Sequence, residues 1–255
     1  MSDILYLMPG KGAAKEEKLR REKLANTFLT SEKNRVFVDD VDEGPLSIES
    51  SIEGDLSVHG MLKKAILTKG KYDALIIGCA DDPGLFSMRE LLDIPVIGPF
   101  ESSIAMASMI GEKFSVITIL ESGFPETRMI LRKYGAEQKC ASIRAINCCV
   151  EDMIQQKVSR DEVIDIFIRQ AKLAESDGAS SLILGCMTMA FLLLDEAVQE
   201  KISPIVINPA KVSVKMAEMM ASMGLKHSLL SYPKPDFEKL KNSVLPELKN
   251  LERGK

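Results

Sequence analysis

The chain of 255 residues predicts an α/β fold of two pseudo-symmetric lobes, each a parallel sheet flanked by helices, with a cleft between them. Three observations carry that reading. Asp73-Ala74-Leu75-Ile76-Ile77-Gly78-Cys79 and Ser181-Leu182-Ile183-Leu184-Gly185-Cys186 are apolar runs of strand length that both end in Gly-Cys. A run apolar on both faces is what a buried parallel strand requires. The likeness continues downstream, where Ile94-Pro95-Val96-Ile97-Gly98-Pro99 is answered by Ser203-Pro204-Ile205-Val206-Ile207-Asn208-Pro209 with two or three residues of insertion between the copies. Each Gly-Cys then passes into a helical pattern, so each copy delivers one cysteine to a strand's carboxyl end.

The elements follow in order. Ile4 to Met8 reads as the first strand and Pro9-Gly10-Lys11-Gly12 as the turn that ends it; the turn lacks the spacing and the Lys-Ser/Thr close of a phosphate-binding loop. A charged helix is expected from Ala14 to Thr30, with Leu19, Leu24 and Phe28 as its apolar marks, followed by the strand Val36-Phe37-Val38. The acidic, non-periodic stretch from Asp42 to Val58 reads as a surface loop and Gly60 to Thr68 as a short helix. After Cys79, Asp82-Pro83 has the form of a helix start, a carboxylate cap with proline at the first turn, and Leu85, Met88, Leu91 and Leu92 mark the buried face. A helix across Ser102 to Gly111 follows the Pro95–Pro99 strand.

In the second copy, Phe114 to Leu120 reads as a buried strand, and Ser122 to Thr127 as the turn into a helix that ends at Tyr134-Gly135. Ser159-Arg160-Asp161-Glu162 is a capping box opening a helix to Asp177, with Gly178 closing it. The strand from Pro204 to Ile207 leads through Asn208-Pro209 into a helix ending at Gly224, whose methionines at 216, 219, 220 and 223 recur at helical spacing and read as packing. A last helix is expected from Asp236 to Leu251.

Bulk properties narrow the function. With 33 basic and 37 acidic residues the net charge is −4, which argues against a nucleic-acid partner. No apolar stretch reaches the roughly 18 residues of a membrane span, and Asp3 with a Gly-Lys turn stands where a signal peptide would be basic and then apolar, so a cytoplasmic protein is expected. Cysteines at 79, 140, 148, 149 and 186 are too scattered for a disulfide framework, and an odd count fits free thiols. There is no Cys-x-x-Cys, and His59 and His227 have no metal-ligand spacing to a cysteine, so no metal is expected. Cys140, Cys148 and Cys149 sit among small and apolar residues and read as core fillers.

The remaining two cysteines carry the chemistry. In open parallel sheets ligands bind beyond the carboxyl ends of the strands, where Cys79 and Cys186 both fall. Each precedes a helix, whose first amides are expected to lower a thiol pKa from about 8.5 towards neutrality. Matched groups from two related lobes suit stereoinversion. One thiolate removes a hydrogen from a carbon made acidic by neighbouring carbonyl groups, and the opposite thiol returns one to the other face, with no cofactor required.

Gly78-Cys79-Ala80-Asp81-Asp82-Pro83-Gly84-Leu85, Arg89 to Leu92, Ile94 to Gly98, Glu101, Phe114 to Thr118, Tyr134-Gly135, Cys140 to Ala145 and Leu184-Gly185-Cys186-Met187-Thr188-Met189-Ala190 closely resemble the aspartate/glutamate/hydantoin racemase superfamily, nearest its hydantoin and allantoin racemase branch. The resemblance covers most of residues 73 to 225. It implies cofactor-independent racemisation by Cys79 and Cys186 of a small ureide or amino-acid derivative, in a homo-oligomer. It also implies one discontinuous lobe, residues 1–98 with 208–255, carrying Cys79, and an inserted lobe, residues 99–207, carrying Cys186. Substrate contacts are expected from Pro9, Gly10, Ala80, Asp81, Glu101, Thr118, Met187 and Thr188. Glu101 is expected either to cap its helix or to bond the ligand, and Lys11 either to attract an acidic substrate or to remain a solvated turn residue. The branch usually has Asn-Pro-Asn-(Ser/Thr) after the first strand, where this chain has Met8-Pro9-Gly10-Lys11, so the exact substrate stays open. Other readings of the same pattern are a two-cysteine cis–trans isomerase, a decarboxylase of small diacids, or an inactive two-lobed binding protein.

Overall fold

The computed structural model describes residues 1–193 and 196–243. It contains two four-stranded, all-parallel sheets. The first is built from β1 (Asp3–Lys11), β2 (Arg35–Val41), β3 (Ala74–Ile77) and β4 (Val96–Ile97) in the order β2-β1-β3-β4. The second uses β5 (Phe114–Thr118), β6 (Cys140–Ala145), β7 (Ser181–Leu184) and β8 (Ile205–Ile207) in the order β6-β5-β7-β8. The orders are the same under the duplication, so β3 and β7, the two cysteine strands, hold corresponding central positions. Every residue of both strands is buried, which is why their sequences are unbroken apolar runs rather than alternating ones.

Helices cover the sheets: α1 (Lys15–Thr27), α2 (Ser51–Leu67), α3 (Leu85–Leu91) and α4 (Pro99–Ile110), then α5 (Phe124–Lys133), α6 (Val150–Ile154), α7 (Arg160–Ser176), α8 (Met187–Leu192) and α9 (Glu196–Gln199), and finally α10 (Pro209–Ser222) and α11 (Phe237–Ser243). The two lobes exchange helices. α10, which leaves the second sheet, packs on β3 and β4 of the first, whereas α4, which leaves the first sheet, packs on β7 and β8 of the second. α4 and α10 also pack on each other. One hydrophobic core accordingly runs from Ile4, Tyr6 and Ile76 through Ala210 and Val214 to Phe167, Leu184 and Phe191. Among the described residues, no helix is long and apolar enough to cross a membrane.

Several local expectations are corrected. The chain from Pro9 to Lys11 is not a turn: β1 continues to Lys11 across a register shift after Met8, because the Lys11 N–H donates to the Pro45 carbonyl at 2.8 Å. A Cβ on Gly10 would lie 2.6 Å from the Leu46 carbonyl oxygen, so glycine is what lets these segments meet. The stretch from Asp42 to Val58 is a loop only in its first half. Ser50 accepts from the Glu53 N–H and donates to the Glu53 carboxylate, and this cap starts α2 nine residues before Gly60. Leu19, one of the apolar marks of α1, is 54% exposed; Arg21 and Ala25 face inward instead.

Asp82 does not cap the helix that follows it. It adopts φ 50°, Gly84 adopts φ 66°, and α3 begins only at Leu85. The Asp82 carboxylate accepts instead from the Phe100 and Glu101 N–H groups at 3.0 and 2.8 Å, capping α4 from a distance of eighteen residues in sequence. A Cβ on Gly98 would lie 2.6 Å from that carboxylate, so the glycine at the N-cap of α4 makes room for a borrowed cap. α4 consequently begins at Pro99, ahead of the expected Ser102. Of the expected last helix, Phe237–Ser243 is helical and residues 244–251 lie outside the described residues.

Candidate active site

In each sheet the chain first moves outward from the central strand, β1 to β2 or β5 to β6, and then returns to its other side. The topological switch therefore lies between β1 and β3 and between β5 and β7, where such sheets open a crevice at their carboxyl ends. Both crevices contribute to a single cavity of about 710 Å³, within the range of small-ligand sites. Its walls include Met8 to Lys11 from the end of β1, Gly78 to Asp81 after β3, Thr118 to Leu120 after β5, and Gly185 to Thr188 after β7. The loop from Pro45 to Glu49 and residues Val150 and Ile154 of α6 line it as well.

The glycines before the cysteines set the turn. The Gly78 N–H donates to the Leu7 carbonyl at 2.7 Å, and the Gly185 N–H donates to the Ile117 carbonyl at 2.8 Å, so the two strand ends are held alike against their central neighbours. Cys79 and Cys186 follow, and both line the cavity. Pro9, Gly10, Ala80, Asp81, Thr118, Met187 and Thr188 join them, as does Lys11. Glu101 does not. It forms an ion pair with Arg89, whose Nη1 also donates to the Tyr232 hydroxyl at 2.9 Å, and none of these three residues lines the cavity. The cap that Glu101 was expected to supply comes from Asp82.

The surroundings of the two sulfurs differ. The Cys79 thiol donates to Asp81 Oδ2 at 3.7 Å, and burial followed by the Asp81 carboxylate pushes its pKa well above the ordinary thiol value. Burial also raises Cys186, opposed by the Met189 and Thr188 N–H groups and by the Arg21 guanidinium. The expected lowering by helix N-termini therefore does not occur. α3 starts too far from Cys79 to act on it, and at Cys186, the N-cap of α8, the amides only reduce what burial imposes. Asp81 is itself pushed up to about 7, by burial first and then by Glu126 and Asp82.

Arg21, Glu17 and Glu126, none of them among the expected site residues, also line the cavity. Arg21 is 3% exposed although it sits in a charged helix. Its Nε donates to Glu17 Oε1 at 2.6 Å, its Nη2 donates to Thr188 Oγ1 at 3.0 Å, and the guanidinium stands 5.5 Å from the centre of the Phe191 ring. The buried Tyr6 hydroxyl beneath it donates to the Gly78 carbonyl at 3.3 Å. A Glu-x-x-x-Arg spacing at i, i+4 was the local signal for a paired arginine, but nothing local says that the pair faces inward. Cys140 and Cys149 are half-buried and Cys148 is buried; none of the three lines this cavity.

Two parallel sheets of one strand order that close around a cavity, each contributing a cysteine at the same strand end, define a two-lobed α/β enzyme. Residues 20–217 match the family model described as Asp/Glu/Hydantoin racemase. The chain is 33% identical over 197 residues to a hydantoin racemase of Rhizobium meliloti, covering 74% of this chain and 79% of that one. It is 32% identical over 216 residues to a hydantoin racemase of Pseudomonas sp. (strain NS671), covering 83% and 82%. An allantoin racemase from Klebsiella pneumoniae superposes with a TM-score of 0.80 at 26% identity, over 92% of this chain and 95% of that one. The chain belongs to the Asp/Glu/Hydantoin racemase family, and it is an isomerase of the racemase type.

Proposed function

We propose that this protein is a cofactor-independent racemase or epimerase of a small ureide or amino-acid derivative of hydantoin or allantoin type, with Cys79 and Cys186 as its two opposed acid/base groups. The observation that carries the reading is that both cysteines, from equivalent ends of β3 and β7, line one cavity. Inversion at carbon needs a proton acceptor on one face and a donor on the other. In one direction a thiolate takes the proton of the C–H bond, the bonding pair moves into the neighbouring carbonyl as an enolate, and the other thiol protonates the opposite face. The reverse reaction exchanges the roles. Decarboxylation of a diacid needs only one thiol, so a second one in the same cavity favours inversion.

The buried setting serves this chemistry. A thiol with a raised pKa is a stronger base once ionised. Pro9, Gly10, Ala80, Asp81, Thr118, Met187 and Thr188 are the groups we assign to holding the substrate, and Lys11 adds a cation beside it. We take residues 1–98 with 208–255 as the lobe of Cys79 and residues 99–207 as that of Cys186. The packing supports this division: α4, within residues 99–207, rests on the second sheet, and α10, within residues 208–255, rests on the first.

The test is deuterium exchange. Purified protein in D2O, with no added cofactor, should wash deuterium into 5-substituted hydantoins or allantoin at the stereocentre while optical rotation decays. Failure of every hydantoin, allantoin and acidic amino acid to exchange would remove the substrate assignment.

A further inference from the structure

The duplicated cysteines stand in unlike electrostatic settings. On one side the Cys79 thiol donates to the Asp81 carboxylate at 3.7 Å, with Asp82 and Glu126 adding negative charge nearby. On the other, Thr188, two residues after Cys186, accepts from the buried Arg21 guanidinium at 3.0 Å. The counter-charge on Arg21 is shared: Glu17 bonds Arg21 at 2.6 Å and Arg20 at 2.7 and 2.8 Å, so this cluster of two cations and one anion keeps a net positive charge. Tyr6, Cys148 and Cys79, neutral while protonated, are the other titratable groups within electrostatic reach of Cys186, and the Asp81 carboxylate reaches it only weakly.

We propose that Arg21 and Asp81 divide the work of the two cysteines before substrate arrives: the proton they share rests on Cys79, as a thiol bonded to Asp81, while Cys186 is the sulfur that ionises, with Arg21 as its positioning cation. This rests on the two-cysteine reading above. The physical reason is direct. A thiolate at Cys79 would face a carboxylate at hydrogen-bond distance in a site of low dielectric, whereas a thiolate at Cys186 faces a fixed cation and backbone N–H donors.

The catalytic consequence is a preferred first half-cycle. Cys186 thiolate forms an S–H bond with the proton it takes as the C–H bond breaks, and Cys79 S–H breaks as its proton forms the new C–H bond on the opposite face. The product state, Cys186 thiol and Cys79 thiolate, is the less stable one. It resets when solvent returns a proton to Cys79 and accepts one from Cys186. Arg21 and Asp81 act through the sulfurs and make the two faces of the cavity inequivalent, although the backbone that holds them is a repeat.

The experiment is alkylation of the full chain by limiting iodoacetamide across pH 6 to 10, with each cysteine followed separately by peptide mass spectrometry. The rate at each sulfur tracks its thiolate fraction, so Cys186 should begin to react about one pH unit below Cys79, roughly a tenfold rate difference at a fixed lower pH. Because a difference in access alone shifts rates but not pH midpoints, the midpoints decide. Arg21→Met should move the Cys186 midpoint up towards that of Cys79, and Arg21→Lys should restore most of it. Asp81→Asn should lower the Cys79 midpoint and leave Cys186 nearly unchanged, and it keeps the test decisive if Arg21→Met does not fold. Equal midpoints in the unsubstituted protein, or Cys79 titrating first, would overturn the proposal. No substrate is used, so absence of racemisation would defeat the functional reading without touching this one, and the reverse also holds.

Discussion

The two strand-end turns, Gly78-Cys79-Ala80-Asp81-Asp82 and Gly185-Cys186-Met187-Thr188, share a backbone solution and differ in everything placed around it. Both glycines donate to the central strand of their sheet, and both cysteines open onto one cavity. After the first cysteine come two carboxylates, the half-buried Asp81 and the buried Asp82, and a left-handed turn; after the second, a helix begins at once. The helices that follow the edge strands differ in the same way. α10 is capped by its own Asn208, which accepts from the Ala210 and Lys211 N–H groups, whereas α4 has glycine at that place and borrows Asp82. Duplication supplied the geometry, and divergence of a few side chains then made the halves chemically unlike.

The largest expected effect tests the shared part. Cys79→Ser and Cys186→Ser should each lower racemisation by about 10³-fold, in the range lost with an acid/base group. Each variant should retain hydrogen exchange only on one enantiomer, and the two variants on opposite ones, as read by NMR in D2O. Substantial racemisation by either would mean that the turns are not functional partners.

The borrowed cap should cost more to lose than the local one. Asp82→Ala leaves the Phe100 and Glu101 N–H groups and the Tyr134 hydroxyl without their acceptor and should destabilise by about 3 kcal/mol in urea unfolding. Asn208→Ala removes an ordinary N-cap and should cost about 1 kcal/mol. Equal losses would show that the borrowed cap is no more demanding than the local one.

The paired glycines come next. A Cβ at Gly78 would lie 2.7 Å from the Leu7 carbonyl oxygen and 2.9 Å from both Met8 Cα and Tyr6 Cε1, with rigid backbone in the way. At Gly185 the nearest atoms are Val116 Cγ1 at 3.1 Å and Thr118 Cα at 3.2 Å, a contact that a small shift relieves. Gly78→Ala should therefore cost about 2–3 kcal/mol and Gly185→Ala about 1 kcal/mol, measured in the same way.

The smallest effect concerns the outer strands. The Val96 N–H of β4 donates to His227 Nε2 at 2.8 Å, while the corresponding Val206 N–H of β8 donates to Gln199 Oε1 at 2.9 Å. Burial and the nearby Arg89 charge lower His227 from 6.5 to about 4, so it is neutral in the folded protein. The unfolded chain takes up that proton below about 6.5. The stability from this group is thus complete above pH 6.5 and is lost as pH falls towards 4. His227 is only half-buried, so the loss should be on the order of 1 kcal/mol, and His227→Gln, which copies the second lobe, should flatten the unfolding midpoint between pH 7 and 5.

The residues themselves determined the duplication, the buried parallel strands and the delivery of Cys79 and Cys186 to strand ends. These features are local: a strand covered on both faces must be written as an uninterrupted apolar run, and glycine must stand where two backbones approach closely. The start of α2 was also local, in Ser50 and Glu53, but the acidic surroundings concealed it. What the tertiary structure alone decided lies in contacts between distant positions. Arg21 meets Thr188 across 167 residues, Asp82 caps a helix belonging to the next unit, and Glu101 turns to Arg89 instead of the cavity. A charged side chain has the same local pattern whether it faces solvent or a partner. Only the packing of one lobe on the other settles which, because burying a charge is tolerated only where a distant segment supplies its hydrogen bonds.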